Sequence, residues 1–205
     1  MIDGLMKNHI DPLWERMAQP LVRAGLSPNQ VTATGLVLII VTSAAYLWHL
    51  NAWIYGLTLS VAFAFDALDG AVARQTGKSS KAGGYFDAMV DRYQELVVLA
   101  AIAWVWDLWA LAMLAFSGAM ITSYAKARTA IEIPINNEAW PDLFERLERI
   151  IALCLLLVIV GATGWNWLMS WGLGIYAALC HFTALQRAAR AAAMLREADA
   201  VARKQ

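Results

Sequence analysis

Four aspartates are the residues best suited to chemistry in this chain of 205 residues. Asp66 and Asp69 are three positions apart, and Asp87 and Asp91 are four apart, in a region that is otherwise mostly apolar or small. Residues three or four apart share a helix face, so each pair can face the other across a helical hairpin. Carboxylate oxygens from two facing helices suit Mg²⁺ or Mn²⁺. The spacing therefore predicts a site for one or two divalent cations, with all four aspartates as ligands.

The residues around these acids are small or cationic. Gly70, Ala73 and Gly83 leave the backbone open beside the acidic face, so that a flat or phosphorylated group can approach it. Arg74 can bind phosphate oxygens with two hydrogen bonds. Two other interpretations of the acids stay open, since solvated helix ends also carry aspartates and intramembrane acids also mark ion pathways.

The composition is that of an integral membrane protein. Hydrophobic residues make up 60% of the chain, charged residues make up 16%, and the mean hydropathy is +0.51, whereas soluble domains are roughly 45–50% apolar and about 25% charged. We expect a single domain over residues 1–205. The formal net charge is zero, which gives no support for a nucleic-acid partner. Cys154 and Cys180 fall inside apolar segments, so we predict buried, unreactive thiols.

The basic residues and tryptophans predict the topology. All sixteen Lys and Arg lie outside the stretches 24–73, 93–125 and 150–186, and each stretch contains two apolar runs separated by a short break. The positive-inside rule then places both termini and the acidic site on the cytoplasmic side of the inner membrane. Eight tryptophans cluster at the three opposite turns, as interfacial aromatics do: Trp48, Trp53, Trp104, Trp106, Trp109, Trp165, Trp167 and Trp171. We predict an all-α polytopic membrane protein with six transmembrane helices, over 29–49, 53–74, 84–105, 108–129, 145–163 and 166–187.

An amphipathic segment precedes the first span. Residues 11–24 predict a short helix lying in the membrane interface, with Asp11 as its cap and Pro12 at its first position. Its apolar stripe consists of Ile10, Leu13, Trp14, Met17 and Leu21. Ser27 and Pro28 have the residue types that begin a helix, so the first span should start there. The predicted organisation is an interfacial helix within 1–25, a six-span bundle over 29–187 and a cytoplasmic tail over 188–205.

The aspartates belong to a longer pattern with fixed spacing: Asp66-x2-Asp69-Gly70-x2-Ala73-Arg74-x8-Gly83-x3-Asp87-x3-Asp91. This pattern resembles the signature of the CDP-alcohol phosphotransferases, membrane enzymes of phospholipid synthesis that usually form homodimers. The resemblance implies that a hydroxyl attacks the lipid-side phosphorus of CDP-diacylglycerol and that CMP leaves. It also implies that Asp66, Asp69 and Asp87 bind metal, while Asp91 is both the general base and a ligand of the second of two ions.

The same resemblance assigns the residues that hold the CDP-lipid. They come from the signature, from the start of the first span and from the loop after the second span. The matching positions are Asn29, Thr32, Gly70, Ala73, Arg74, Ser80 and Gly83.

A second group of cations concerns the acceptor alcohol. The runs "SYAKAR" and "ERLER" resemble those of bacterial phosphatidylinositol-phosphate synthases and their archaeal counterparts, where such residues hold the phosphate of inositol phosphate. The matching residues are Ser123, Lys126, Arg128, Arg146 and Arg149. Topology alone also places cations at cytoplasmic helix ends. Inositol phosphate is the favoured acceptor, but glycerol 3-phosphate would need a similar cluster and would make the chain a phosphatidylglycerol-phosphate synthase. Free inositol or serine ranks third, and a divalent-cation transporter is the alternative from another class.

Overall fold

The computed structural model describes residues 2–135, 140 and 142–203, with side chains from residue 12 onwards. Within these residues the chain forms eight helices and no strand, which confirms the all-α prediction. The helices are α1 (Ile2–Arg23), α2 (Pro28–His49), α3 (Ala52–Asp66), α4 (Leu68–Thr76), α5 (Lys81–Trp106), α6 (Trp109–Glu132), α7 (Arg146–Thr163) and α8 (Trp167–Ala202).

Four helical segments of the described chain are long and apolar enough to cross a bilayer. They are α2, the pair α3–α4 taken together, α6 and α8. This agrees with a membrane-embedded protein. Helices α5 and α7 have 26 and 18 residues but are too charged to qualify by composition. Their charged side chains are Lys81, Asp87, Asp91, Arg92 and Glu95 on α5, and Arg146, Glu148 and Arg149 on α7.

The three short turns lie together at one end of the bundle. They connect α2 to α3, α5 to α6 and α7 to α8. The Trp106 indole N–H donates to the Tyr46 hydroxyl over 2.7 Å, which joins the first two turns. Gly161 packs so closely on Trp53 that an added Cβ would lie 2.1 Å from its backbone nitrogen. We call this the turn end and the opposite end the cavity end. The predicted grouping of tryptophans at the three turns is confirmed.

Small residues allow the helices to pack closely, as they do in membrane bundles. A Cβ on Gly118 of α6 would lie 2.8 Å from the Cβ of Cys180 on α8. A Cβ on Gly56 of α3 would lie 2.9 Å from the backbone nitrogen of Val158 on α7. Cys154 and Cys180 are free and buried in this core, as predicted.

The start of α2 follows the predicted capping. Pro28 is its first residue, and the Ser27 hydroxyl accepts the backbone N–H of Gln30 over 3.3 Å. The Gln30 side chain accepts the backbone N–H of Ser27 in return, which completes a capping box. The predicted second span bends at Ala67, where α3 ends and α4 begins. Asp66 and Asp69 therefore lie on two consecutive helices instead of one.

One predicted boundary is wrong. Helix α1 begins at Ile2 and contains Pro12 in its interior, so Pro12 does not start it. The side chains of Ile10 and Asp11 lie outside the described residues, so the predicted cap is not described. At the other end, α8 runs without a break from Trp167 to Ala202, so residues 188–202 are helical and continuous with residues 167–187. The alanines there have high helix propensity and need no break.

Candidate active site

A cavity of about 190 Å³ opens at the cavity end between the start of α2, helix α4 and the start of α5. Six of the seven residues predicted to hold the CDP-lipid line it: Asn29, Thr32, Gly70, Ala73, Ser80 and Gly83. The seventh, Arg74, lies beside it, with Nη1 3.7 Å from where a Cβ on Gly70 would stand. Lys78 and Ser79 also line the cavity, although no pattern in the sequence singles them out.

Local capping shapes the wall formed by α5. The Ser80 hydroxyl caps this helix by accepting the backbone N–H of Gly83 over 3.0 Å. A Cβ on Gly83 would lie 3.1 Å from that hydroxyl and 3.3 Å from Asn29 Oδ1. Glycine at this position therefore allows the start of α5 to lie close to the start of α2 and keeps the cavity open.

Two of the four aspartates face this cavity. Asp69 of α4 and Asp87 of α5 are among its lining residues. The Thr32 hydroxyl lies 2.6 Å from Asp69 Oδ2 and 3.1 Å from the Pro28 carbonyl oxygen, so it connects α2 to α4. This contact orients one carboxylate oxygen and leaves the other for a ligand.

The other two aspartates are bridged by Arg146, the first residue of α7. Its Nη2 lies 3.1 Å from Asp66 Oδ2 and 2.6 Å from Asp91 Oδ1. The same nitrogen donates to Gln94 Oε1 over 2.5 Å, and Gln94 Nε2 donates to Asp66 Oδ1 over 2.8 Å. The guanidinium thus supplies the positive charge that two buried carboxylates require. The predicted acceptor ligand Arg146 and the predicted metal ligands are in direct contact.

Two residues that sequence reasoning missed hold Asp66 in place. Gln94 is fully buried. The only signal for it in the sequence was a polar side chain inside a predicted span. Gly35 of α2 packs against the carboxylate, since a Cβ there would lie 2.5 Å from Asp66 Oδ1. Only glycine leaves room for the aspartate at this position.

The aspartates fit a divalent cation by their chemistry. All four present hard oxygen donors, and Asp87 lies within electrostatic range of the other three. Among the described residues, however, no three acidic, histidine or cysteine side chains already form a metal-binding group. Arg146 instead contacts one oxygen of Asp66 and one oxygen of Asp91. A metal ion that uses Asp66 Oδ2 and Asp91 Oδ1 must displace it.

The predicted acceptor residues are spread over several environments. Ser123 accepts a hydrogen bond from Arg92 of α5, and Lys126 is half-buried on α6. Arg128 is half-exposed and pairs with Glu132 on the same helix. Arg149 is buried, and its Nε and Nη2 donate to Glu95 Oε1 over 3.1 and 2.6 Å. Their role in binding an acceptor remains a prediction, as do the roles assigned to the aspartates.

The segment before Arg146 is anchored to the last helix. Arg187 of α8 pairs with the buried Asp142, and its Nη1 donates to the Thr122 carbonyl oxygen over 3.0 Å. Arg190 Nη1 donates to the other Asp142 oxygen over 2.7 Å. The Arg187 guanidinium also lies over the ring of Trp140, 5.8 Å from its centre. These contacts determine where α7 begins, and therefore where Arg146 stands.

Comparison with known proteins connects this arrangement to a family. The profile of the CDP-alcohol phosphatidyltransferases matches residues 26–185. An archaetidylinositol phosphate synthase of Pyrococcus horikoshii is 36% identical over 139 residues, which cover 67% of this chain and 72% of the relative. The enzyme of the same name from Methanothermobacter thermautotrophicus is 30% identical over 189 residues, which cover 91% and 94%. A phosphatidylinositol phosphate synthase of Mycobacteroides abscessus is 27% identical over 83% of this chain and 80% of its own.

Solved structures agree on the fold. The phosphatidylinositol phosphate synthase of Mycobacterium tuberculosis with CDP-DAG bound superposes with a TM-score of 0.75 at 23% identity, covering 86% of this chain and 92% of that one. The complex of the same enzyme with manganese and citrate gives a TM-score of 0.76 and covers 87% of this chain and 88% of that one. The family profile spans most of the chain, and the signature surrounds the cavity. The chain therefore belongs to the CDP-alcohol phosphatidyltransferase family.

Proposed function

We propose that this protein transfers a phosphatidyl group from CDP-diacylglycerol to inositol phosphate, releasing CMP and forming phosphatidylinositol phosphate. The observation that carries the proposal is the cavity, where signature residues of α2, α4 and α5 surround Asp69 and Asp87. The names of the relatives support the acceptor, since they are archaetidylinositol phosphate and phosphatidylinositol phosphate synthases of archaea and bacteria. Glycerol 3-phosphate is the main competing acceptor.

The reaction is a displacement at the lipid-side phosphorus. The acceptor hydroxyl oxygen forms the new P–O bond, and the P–O bond to CMP breaks, so that CMP leaves with the electron pair. The hydroxyl proton goes to the Asp91 carboxylate, which acts as general base. Asp91 Oδ1 is buried, and its ion-pair partner among the described residues is Arg146 Nη2 at 2.6 Å, without the geometry of a hydrogen bond. This oxygen is therefore a suitable proton acceptor once Arg146 turns away.

Asp66, Asp69, Asp87 and Asp91 would hold two Mg²⁺ or Mn²⁺ ions. When bound, such ions neutralise the charge on the attacking and leaving oxygens of an in-line displacement. The protein's own part is to aim the carboxylates: Thr32 orients Asp69, and Gln94 orients Asp66.

The nucleotide would occupy the cavity described above. Asn29 and Ser80 present polar atoms at its mouth, and Gly70 and Gly83 leave the backbone uncovered. Arg74 stands beside Gly70 and suits the diphosphate. Lys78 on the rim adds a second cation. The acyl chains then remain in the bilayer while the headgroup reaches the aspartates.

The acceptor phosphate would bind cations of α6 and α7. Arg146 is the central candidate because it already contacts Asp66 and Asp91, and Lys126 and Arg128 lie on the last turns of α6. A dianion carries two negative charges, which the single positive charge of one arginine does not neutralise. Ser123 and Arg149 complete the proposed set.

We assign the bundle six spans, with the cavity end in the cytoplasm and α1 on the membrane surface. A helix of 26 residues is about 39 Å long, so α5 is long enough to cross despite its charges. Of those charges, Asp91, Arg92 and Glu95 form ion pairs within the protein. The tryptophans of the turn end then lie at the opposite interface. A homodimer in the inner membrane completes the proposal.

The test is CMP release by the purified protein in detergent, with CDP-diacylglycerol and either Mn²⁺ or Mg²⁺. Inositol phosphate, glycerol 3-phosphate, inositol and serine are offered separately. Release with inositol phosphate alone supports the proposal. Release with glycerol 3-phosphate alone replaces the acceptor, and metal flux into liposomes without CMP release replaces the class.

A further inference from the structure

Glu95 is a buried carboxylate for which the proposed mechanism has no use. It lies on α5, one turn after Asp91, and is 6% exposed. Beside it is a void of about 10 Å³ lined mainly by apolar side chains such as Phe63 and Leu153. Such a void is at the lower limit for a single water molecule. A buried carboxylate therefore depends on its protein partners, and those partners indicate what Glu95 does.

The two carboxylate oxygens of Glu95 contact two different arginines. Oε1 accepts from Arg149 Nε and Nη2 of α7, over 3.1 and 2.6 Å. Oε2 lies 3.3 Å from Arg92 Nη1 on its own helix. Arg149 makes one further contact, from Nη1 to the Phe144 carbonyl oxygen over 3.2 Å. The two guanidinium groups therefore share this one carboxylate as a partner.

Through these cations Glu95 reaches two predicted acceptor residues on different helices. It binds Arg149 directly, and Arg92 in turn donates to the Ser123 hydroxyl of α6. The same contacts extend to the aspartates, because Arg92 Nη2 lies 3.7 Å from Asp91 Oδ2. The result is a row of six alternating charges in contact: Asp66, Arg146, Asp91, Arg92, Glu95 and Arg149.

We propose that Glu95 is a positioning residue for the acceptor. It holds Arg149, and through Arg92 also Ser123, at the separation that the acceptor phosphate requires. It also keeps Arg92 from moving fully onto Asp91, which is the other ion-pair partner of Arg92 among the described side chains. This inference rests on the proposed function, since it assumes that Ser123 and Arg149 face the acceptor.

The test compares Glu95→Gln and Glu95→Asp with the wild type in steady-state CMP release. Glu95→Gln should raise the KM of the acceptor by about tenfold or more, the loss expected when a charge-assisted hydrogen bond is misplaced. The KM of the CDP-lipid should stay within about twofold of the wild-type value, because the residues proposed to bind the CDP-lipid are not among the contacts of Glu95 described above. Glu95→Asp keeps the charge and should show a smaller rise. Ser43→Ala is the matched control, since it removes a buried hydrogen bond to Tyr55 near the turn end and should lower the melting temperature without moving the acceptor KM.

Each outcome decides the proposal. Equal rises in both KM values, or an unchanged acceptor KM in both variants, would overturn it. If Glu95→Gln does not fold, Glu95→Asp decides alone, and a wild-type acceptor KM there would overturn the positioning role. If the wild-type protein rejects inositol phosphate but accepts another alcohol, the proposed acceptor fails. The positioning role is then measured with the accepted alcohol.

Discussion

The bridge from Arg146 to Asp66 and Asp91 predicts that this arginine competes with metal. Replacing it by glutamine removes the charge but keeps a side chain that can hydrogen-bond to Gln94. Losing one partner of a buried ion pair costs about 3–5 kcal/mol. The Arg146 side chain is 27% exposed, so we expect about 2–3 kcal/mol after solvent screening. For a protein of this size that lowers the melting temperature of the metal-free form by about 4–12 °C.

The same free energy opposes metal binding in the wild type. An ion that uses Asp66 Oδ2 and Asp91 Oδ1 must displace the guanidinium, so Arg146→Gln should bind Mn²⁺ more tightly. Each 1.4 kcal/mol is about tenfold in affinity, so the gain is about 30- to 140-fold. The assay is a Mn²⁺ titration of the purified protein in detergent, read by melting temperature and by calorimetry.

Arg128→Gln is the matched control for this titration. It removes the same charge from an arginine that is 49% exposed and pairs with Glu132 on the surface. Such a pair contributes about 0–1 kcal/mol, so neither stability nor Mn²⁺ affinity should change much. Unchanged or weaker Mn²⁺ binding in Arg146→Gln would refute the argument, because the guanidinium would then not hold the place of a metal ion.

Three further substitutions test the site. Asp91→Asn should abolish CMP release while CDP-lipid still stabilises the protein against heat, and retained turnover would exclude Asp91 as the base. Gly35→Ala places a Cβ 2.5 Å from Asp66 Oδ1 and should destabilise by about 1–3 kcal/mol through overpacking. Gly174→Ala, where a Cβ meets nothing within 4 Å, should not destabilise in the same melting assay. Thr32→Val removes the hydroxyl that lies 2.6 Å from the Asp69 carboxylate. The substitution should raise the KM of the CDP-lipid by about tenfold. An unchanged KM would show that this contact does not orient the site.

The parts of the site that could be predicted from sequence depend on short-range spacing. The spacing of the signature singles out Asp69, Gly70, Gly83 and Asp87, and these residues do line one cavity. The cap of α2 at Ser27 also follows from adjacent residues. Composition predicted the apolar helices for the same reason, because each span is encoded by its own segment.

The parts that could not be predicted depend on contacts between distant segments. Arg146 meets Asp66 across 80 positions, and no local pattern indicates that a predicted acceptor ligand will neutralise the aspartates. Gln94 binds Asp66 of α3 and Arg146 of α7, and Glu95 binds Arg149 of α7. No spacing in the sequence indicates these partners. The start of α1 was wrong because proline often begins a helix but does not always do so.

The bend at Ala67 affects how the protein can adapt to bilayers of different thickness. Helices α3 and α4 together form one candidate membrane span, and α4 carries Asp69 and packs its Ala71 and Val72 against α1 and α2. The tilt of a membrane helix responds to bilayer thickness. Because the two helices join at a bend, α3 can change its tilt in a thinner or thicker bilayer while α4 keeps its place beside α1. The position of Asp69 should therefore vary less with lipid chain length than it would if Ala52 to Thr76 formed one continuous helix.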